Sequence, residues 1–313
     1  MNPSTATWTA AAIPDLSGLR AVVTGANSGL GFHTSLELAQ HGAEVTMACR
    51  SAEKGAAAVA AVQAEVPEAA VRLQLLDLAD LSSVRSFAGT WNGRLDLLVD
   101  NAGVMAVPYG TTVDGFERQL GTNHLGHFAL TGLLLPALQE SPAGRVVVVS
   151  SLAHLTGYIN LADLQSTRRY SRWAAYGQSK LANLLFMREL TRRLSRAGST
   201  TSAAAAHPGL SDTGLVDSTT GGRGPFAGLA RGFFTTAGQP AAAGALPSLY
   251  AATMPDVVPG DFFGPANLGQ SRGGPTRVGM NARARDAVVG QRLWEASERL
   301  TGVTYDLPVS ADR

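Results

Sequence analysis

The chain has 313 residues, 45% hydrophobic and 16% charged, and its 25 Lys and Arg against 24 Asp and Glu leave a net charge of +1. Such a balance carries no single-sign field of the kind that draws nucleic acid or an acidic lipid surface, so a diffusible small molecule is the expected partner. A single cysteine, Cys49, excludes an intrachain disulfide framework and is expected to serve as a small apolar filler in a strand.

Residues 1–16 read as a loose leader, because MNPSTATWTAAAIPD has neither a basic n-region nor a continuous apolar core for export. The first strand is expected in LRAVVTG (19–25), followed by a tight turn and a helix over 29–40. A second strand (43–49), a helix opened by Ser51, and a third strand (71–76) follow. Next come a helix over 82–91, a strand over 95–99, a long helical stretch over 115–138 and a strand over 145–150. After an irregular excursion (153–172), a helix over 174–194 places Leu181, Leu184, Leu185 and Leu194 inward, and a sixth strand occupies 202–207. Residues 211–238, rich in Gly, Thr and Phe with little periodicity, read as a substrate-binding loop. A last strand near 260–263 and a helix over 283–299 close the chain.

Short buried strands alternating with helices are the pattern of right-handed βαβ units on a parallel sheet. The expected architecture is one doubly wound α/β domain over 17–313, with a central, mostly parallel seven-stranded sheet. Apolar runs such as 133–138 and 146–149 are too short to cross a bilayer, so no membrane span is expected and the cytoplasm is the expected location.

Three motifs carry chemistry. In TGANSGLG (24–31), Gly25, Gly29 and Gly31, with Asn27, Ser28 and Leu30 between and around them, sit where a strand turns into a helix. Glycine lets the backbone turn sharply there and lets a pyrophosphate reach the unpaired amides of the helix start. Arg50, at the end of the second strand, stands where an acidic residue usually takes a bare ribose 2′-hydroxyl. An arginine there can pair with a 2′-phosphate, which favours NADP(H) over NAD(H), a solvated surface arginine being the alternative. Third, Tyr176 and Lys180 lie four apart on one helix face. A phenol near pKa 10 is a poor base, but a nearby ammonium favours the phenolate. Only Lys54 and Lys180 are lysines in this arginine-rich chain, so a lysine here points to a need for a compact ammonium.

Together these motifs resemble the short-chain dehydrogenase/reductase family over about residues 17–265, and with it a Rossmann fold. The resemblance implies further roles. Asp77 and Leu78 would border the adenine. Asn101, Ala102 and Gly103 match an NNAG turn whose first Asn is here Asp100. Ser151, the second Ser of VSS, would bind the reacting oxygen. Asn123, in TNHLGHF, would hold a water beside the lysine, or else be a buried amide satisfying backbone. Pro208, Gly209 and Thr213 match an element beside the nicotinamide, although Pro208-Gly209 also reads as loop punctuation. Tyr176 follows Ser151 by 25 residues, an excursion similar to that of the retinol dehydrogenase and protochlorophyllide reductase branch.

The implied activity is NADP(H)-dependent hydride transfer to a carbonyl or from an alcohol, with Tyr176 as acid/base and a lipophilic ketone or aldehyde as substrate. Reduction of an enone-type alkene and a non-catalytic redox sensor are the alternatives. Phe226, Phe233, Phe234, Tyr158 and Trp173 are either an apolar mouth or core. His124 and His127, three apart, lack a carboxylate at ligand spacing, so no metal is expected. Arg168, Arg169 and Arg172 face solvent or another subunit of a possible homo-oligomer.

Overall fold

Valine- and alanine-rich strands set the architecture of the computed structural model, which describes residues 8–210 and 239–307. The strands are β1 (Arg20–Thr24), β2 (Glu44–Cys49), β3 (Val71–Leu75), β4 (Leu97–Asp100), β5 (Arg145–Val149), β6 (Ser202–Ala206), β7 (Phe262–Asn267) and β8 (Arg272–Arg277). They form one sheet in the order β3-β2-β1-β4-β5-β6-β7-β8. All neighbours are parallel except β7 and β8.

Alternation along each strand divides the interior in two. Val22, Leu98, Val146, Val148, Ala203 and Ala205 face one core, where they meet Phe128, Leu134 and Leu184. Their neighbours Ala21, Val23, Leu97, Val99, Val147, Val149, Ala204 and Ala206 face the other, with Leu36, Val62 and Leu249. A period of two on a sheet covered on both faces requires this split. The second core is roofed by α1 (Gly29–Gln40), α2 (Ala52–Glu65) and a helix over Ala241–Thr253. The first is roofed by α3 (Leu81–Gly89), the helical stretch after β4, the helix Arg172–Arg196 and the helix Ala287–Thr301.

Three expectations change. The sheet has eight strands, not seven. β8, RGGPTR, has almost no strand propensity, but its Pro275 is tolerable because it lies on the edge of the sheet. It pairs back on β7 through a turn in which Leu268, Gly269 and Gln270 all take left-handed backbone, φ +49°, +63° and +68°. The helical stretch expected over 115–138 is composite: α4 (Arg118–Leu120), a widened π turn (Gly121–Leu125) and α5 (Gly126–Gln139). The irregular excursion leads into α6 (Arg172–Arg196). The last two helices are α7 (Ala241–Thr253), which the sequence reading does not anticipate, and α8 (Ala287–Thr301). α7 carries Gly244 and Pro247 and no polar face; burial of Ala245, Leu249 and Ala251 against the sheet holds it instead.

α8 packs against the segment that follows it, through Tyr305. Trp294, 2% exposed, meets Tyr305 at 4.4 Å, Phe128 at 5.0 Å and Phe186 at 5.8 Å between ring centroids, and its indole N–H has no hydrogen-bond partner. Trp294→Ala is therefore expected to lower the unfolding free energy by about 3–5 kcal/mol in urea titration, with Trp294→Phe costing clearly less because no polar bond is lost. Equal losses for the two variants would contradict this packing account.

Candidate active site

The chain leaves β1 and β4, which are neighbours in the sheet, toward opposite faces, so a crevice opens above their carboxyl ends. Gly25 turns out of β1 with φ +65°, and Gly29 starts α1 with φ +54°, both in the region that glycine adopts without strain. Close approach explains Gly31: a Cβ there would lie 2.4 Å from the Gly25 carbonyl oxygen and 2.5 Å from Asn101 Nδ2.

The crevice is a cleft of about 330 Å³ lined by Gly25, Asn27, Ser28, Gly29, Leu30, Gly31, Arg50, Asp77, Leu78, Asn101, Ala102 and Gly103. Arg50 is exposed at its rim, just past β2, while Ser51 caps α2 by accepting the Lys54 N–H. Asp77 is held by its own turn, Oδ1 accepting from Ala79 N at 2.9 Å. The glycine cradle, the open crevice and the rim arginine fit a phosphate-bearing dinucleotide.

A single hydroxyl ties the two strand ends together. Thr24 Oγ1 accepts the N–H groups of Asn101 and Ala102, each at 2.9 Å, while Asn101 Nδ2 donates to the Thr24 carbonyl at 2.7 Å. His127 Nδ1–H donates to the Asn123 carbonyl at 3.1 Å, which leaves Nε2 to accept the Thr24 hydrogen at 2.9 Å, with the Val99 carbonyl at 3.3 Å as its other acceptor. Burial pushes His127 down to about 3, which keeps it neutral. Asp100, beneath, is fully buried. Its Oδ2 accepts from the Thr131 hydroxyl at 2.9 Å, Oδ1 has no partner, and burial raises the carboxyl well above its ordinary range.

A second cavity of about 290 Å³ shares Leu30, Asn101, Gly103 and Val104 with the cleft and runs on past Ser151, Tyr176, Lys180, Pro208 and Gly209. Tyr176 and Lys180 emerge side by side from α6, 6% and 5% exposed. The Tyr176 and Ser151 side chains line this same cavity, and Ser151 Oγ accepts from Ala153 N at 3.2 Å. Ser150 instead braces the strand end, donating to the Lys180 carbonyl at 2.8 Å.

Lys180 Nζ donates to the Val149 carbonyl at 3.1 Å and lies 5.9 Å from the Tyr176 ring centroid. Burial pulls Lys180 down to about 8. Burial also raises Tyr176, with the Ser151 hydrogen bond opposing it. Desolvation thus dominates the phenol's shift, and Lys180 is not among its causes. The Asn123 side chain is spent on protein: Oδ1 accepts from Val104 N at 2.7 Å, and Nδ2 donates to Val104 O at 2.8 Å and Ser179 Oγ at 2.9 Å.

Gly209 takes φ +69°, and a Cβ on it would lie 2.4 Å from the Ser271 carbonyl oxygen in the β7–β8 turn. The sequence reading missed Thr24, His127 and this hairpin. His127 drew attention only as a metal candidate, although its place one turn after Asn123 was visible. Trp173 lines the second cavity, whereas Tyr158 is 67% exposed and does not. Thr213, Phe226, Phe233 and Phe234 lie outside the described residues. Among those described, no three His, Cys, Asp or Glu side chains cluster for a metal, and no helix is long and apolar enough to cross a membrane.

With this geometry in view, comparison with known proteins is decisive about family. The sequence profile of the short chain dehydrogenase family matches residues 20–223. The chain belongs to that family. It is 41% identical to retinol dehydrogenase 12 of Mus musculus over 299 residues, covering 93% of this chain and 89% of that one. It is 42% identical to human retinol dehydrogenase 13 over 296 residues, covering 92% and 86%. A crystal structure of an uncharacterized protein from Mycobacterium Paratuberculosis superposes with a TM-score of 0.81 at 49% identity, covering 96% of this chain and 100% of that one. The chain is accordingly an oxidoreductase whose scaffold serves hydride transfer with a nicotinamide cofactor.

The cradle gives a sharp test. Gly31→Ala is expected to abolish dinucleotide binding in a fluorescence titration, since the added methyl must displace backbone at Gly25. Unchanged affinity in a folded variant would mean that the dinucleotide does not bind against this turn.

Proposed function

We propose that this protein is an NADP(H)-dependent carbonyl reductase acting on a lipophilic aldehyde or ketone. The observation that carries the reading is that Tyr176, Ser151 and Lys180 line one cavity that shares its wall with the glycine-lined cleft. When bound, the cofactor supplies hydride from nicotinamide C4 to the carbonyl carbon.

The chain's own groups do the rest. Tyr176, which burial keeps protonated, donates its proton to the carbonyl oxygen as the alcohol forms. Ser151 donates a hydrogen bond to the same oxygen and stabilises its developing charge. Lys180 places a positive charge beside the phenol and offers donors to a ribose hydroxyl. Asn123 orients the backbone at Val104 and the helix at Ser179, holding the two banks of the cavity in register. Met105, Leu152, Ala153, Trp173 and Leu210 make the walls largely apolar, which supports a lipophilic substrate, as does the retinol in the names of the relatives.

Arg50 at the cleft rim supports the 2′-phosphorylated cofactor. Arg50→Ala is expected to weaken NADPH binding about tenfold or more and to leave NADH binding nearly unchanged, because a charge-assisted phosphate contact is lost. Equal effects on both cofactors in fluorescence titration would overturn the assignment. Tyr176→Phe is expected to abolish NADPH-dependent carbonyl turnover while sparing cofactor affinity, and retained turnover would reject Tyr176 as the acid.

Protonation sets the pH profile. Lys180 is charged below about 8 and loses its charge above, while the raised Tyr176 stays protonated across the same range. In the direction of reduction, kcat/KM should be level on the acid side and decline as pH rises through the lysine's value. A profile that stays level well past it would contradict a role for the ammonium.

A further inference from the structure

We propose that Gln119 is a positioning residue that fixes the shape of the substrate wall and thereby sets selectivity between compact and bulky substrates; this rests on the second cavity being the reaction chamber. Met105 stands on one bank of that cavity and Trp173 on the other. The residue after Met105, Ala106, is 1% exposed and takes φ +46°. An alanine in the left-handed region is sterically strained and persists only where its surroundings hold it there.

Gln119, itself fully buried, is the holder. Its Oε1 accepts the Ala106 N–H at 2.7 Å. Its Nε2 donates to the Arg172 carbonyl at 2.9 Å, at the residue preceding Trp173, and to Tyr170 Oη at 2.8 Å. Tyr170 Oη in turn donates to the Val107 carbonyl at 2.8 Å, returning to the Met105 bank.

One primary amide thus bridges both banks, using an acceptor on one side and two donors on the other. Glutamate lacks the donors, and leucine matches the volume but bonds to nothing. No bond of this arrangement reaches the glycine cradle or the Ser151 and Tyr176 hydroxyls, and only the Trp173 ring, 6.3 Å from the Tyr176 ring between centroids, neighbours the catalytic pair, so the role of Gln119 is in shaping the chamber and not in the chemical step.

The test compares NADPH-dependent reduction of propanal with that of a long-chain apolar aldehyde. In Gln119→Leu, the ratio of kcat/KM for the bulky over the compact aldehyde is expected to fall about tenfold, through KM, with NADPH affinity and propanal kcat within about twofold of wild type. Ala106→Gly in that background should restore part of the ratio, because glycine takes the left-handed backbone without being held. Should Gln119→Leu fail to fold, Tyr170→Phe, which removes one link and leaves the amide, is expected to lower the ratio in the same direction by less. An unchanged ratio in a folded variant, or no recovery on adding Ala106→Gly, overturns the proposal alone. Absence of turnover of either aldehyde by the wild-type protein overturns the reductase reading and this inference with it.

Discussion

The crevice exists because β1 and β4 lie side by side and hand their chains to opposite faces of the sheet, and the gap this leaves must be closed by side chains. Thr24 does so. Its hydroxyl takes two backbone N–H groups from the turn after β4 and passes its hydrogen to His127. His127 then reaches the carbonyl of Asn123 in the widened turn, and Asn123 clamps Val104 and Ser179. The cradle, the turn after β4 and the helix bearing Tyr176 therefore form one hydrogen-bonded body. Since the side chains of Thr24, His127 and Asn123 are all committed within it, its parts cannot shift independently without leaving a buried polar group unpaired.

The same dryness governs the electrostatics. Tyr176 and Lys180 sit in the same low-dielectric wall, which raises the phenol and lowers the ammonium. The raised phenol keeps its proton while the lysine stays charged below about 8, a state suited to giving a proton to an oxygen that becomes negative. His127 is close enough to Lys180 for the ammonium to help keep the imidazole neutral, and that neutrality lets its Nε2 accept from Thr24.

Much of this was legible in the sequence wherever a local pattern coincides with a global demand. TGANSGLG combines a strand end, three glycines and a helix start, and the structure uses each of them where expected. The valine and alanine strands declared themselves by apolar runs, and the four-residue spacing of Tyr176 and Lys180 placed them on one face. What was hidden depends on tertiary context. β8 is Gly- and Pro-rich and becomes a strand only because β7 offers an edge; α7 lacks amphipathic periodicity because its partly exposed positions, Ala243, Leu246, Tyr250 and Ala252, are as apolar as its buried ones. Asn123 was left open between holding a water and satisfying backbone as a buried amide; its side chain serves the backbone of Val104, and no sequence signal reports which partner a buried amide will find. Gln119 and the strained Ala106 are silent for the same reason: their meaning lies in a contact between the turn after β4 and the excursion before α6.

The central claim is that the cleft and the inner cavity form one continuous site in which nicotinamide C4 meets a carbonyl carbon beside Tyr176. Reduction of an aldehyde with NADPH carrying deuterium on the transferable C4 position, in ordinary water, tests it directly by mass spectrometry of the alcohol. One deuterium, on the carbinol carbon, is the predicted result. An alcohol that carries none, whichever face of C4 is labelled, would contradict direct transfer within this site.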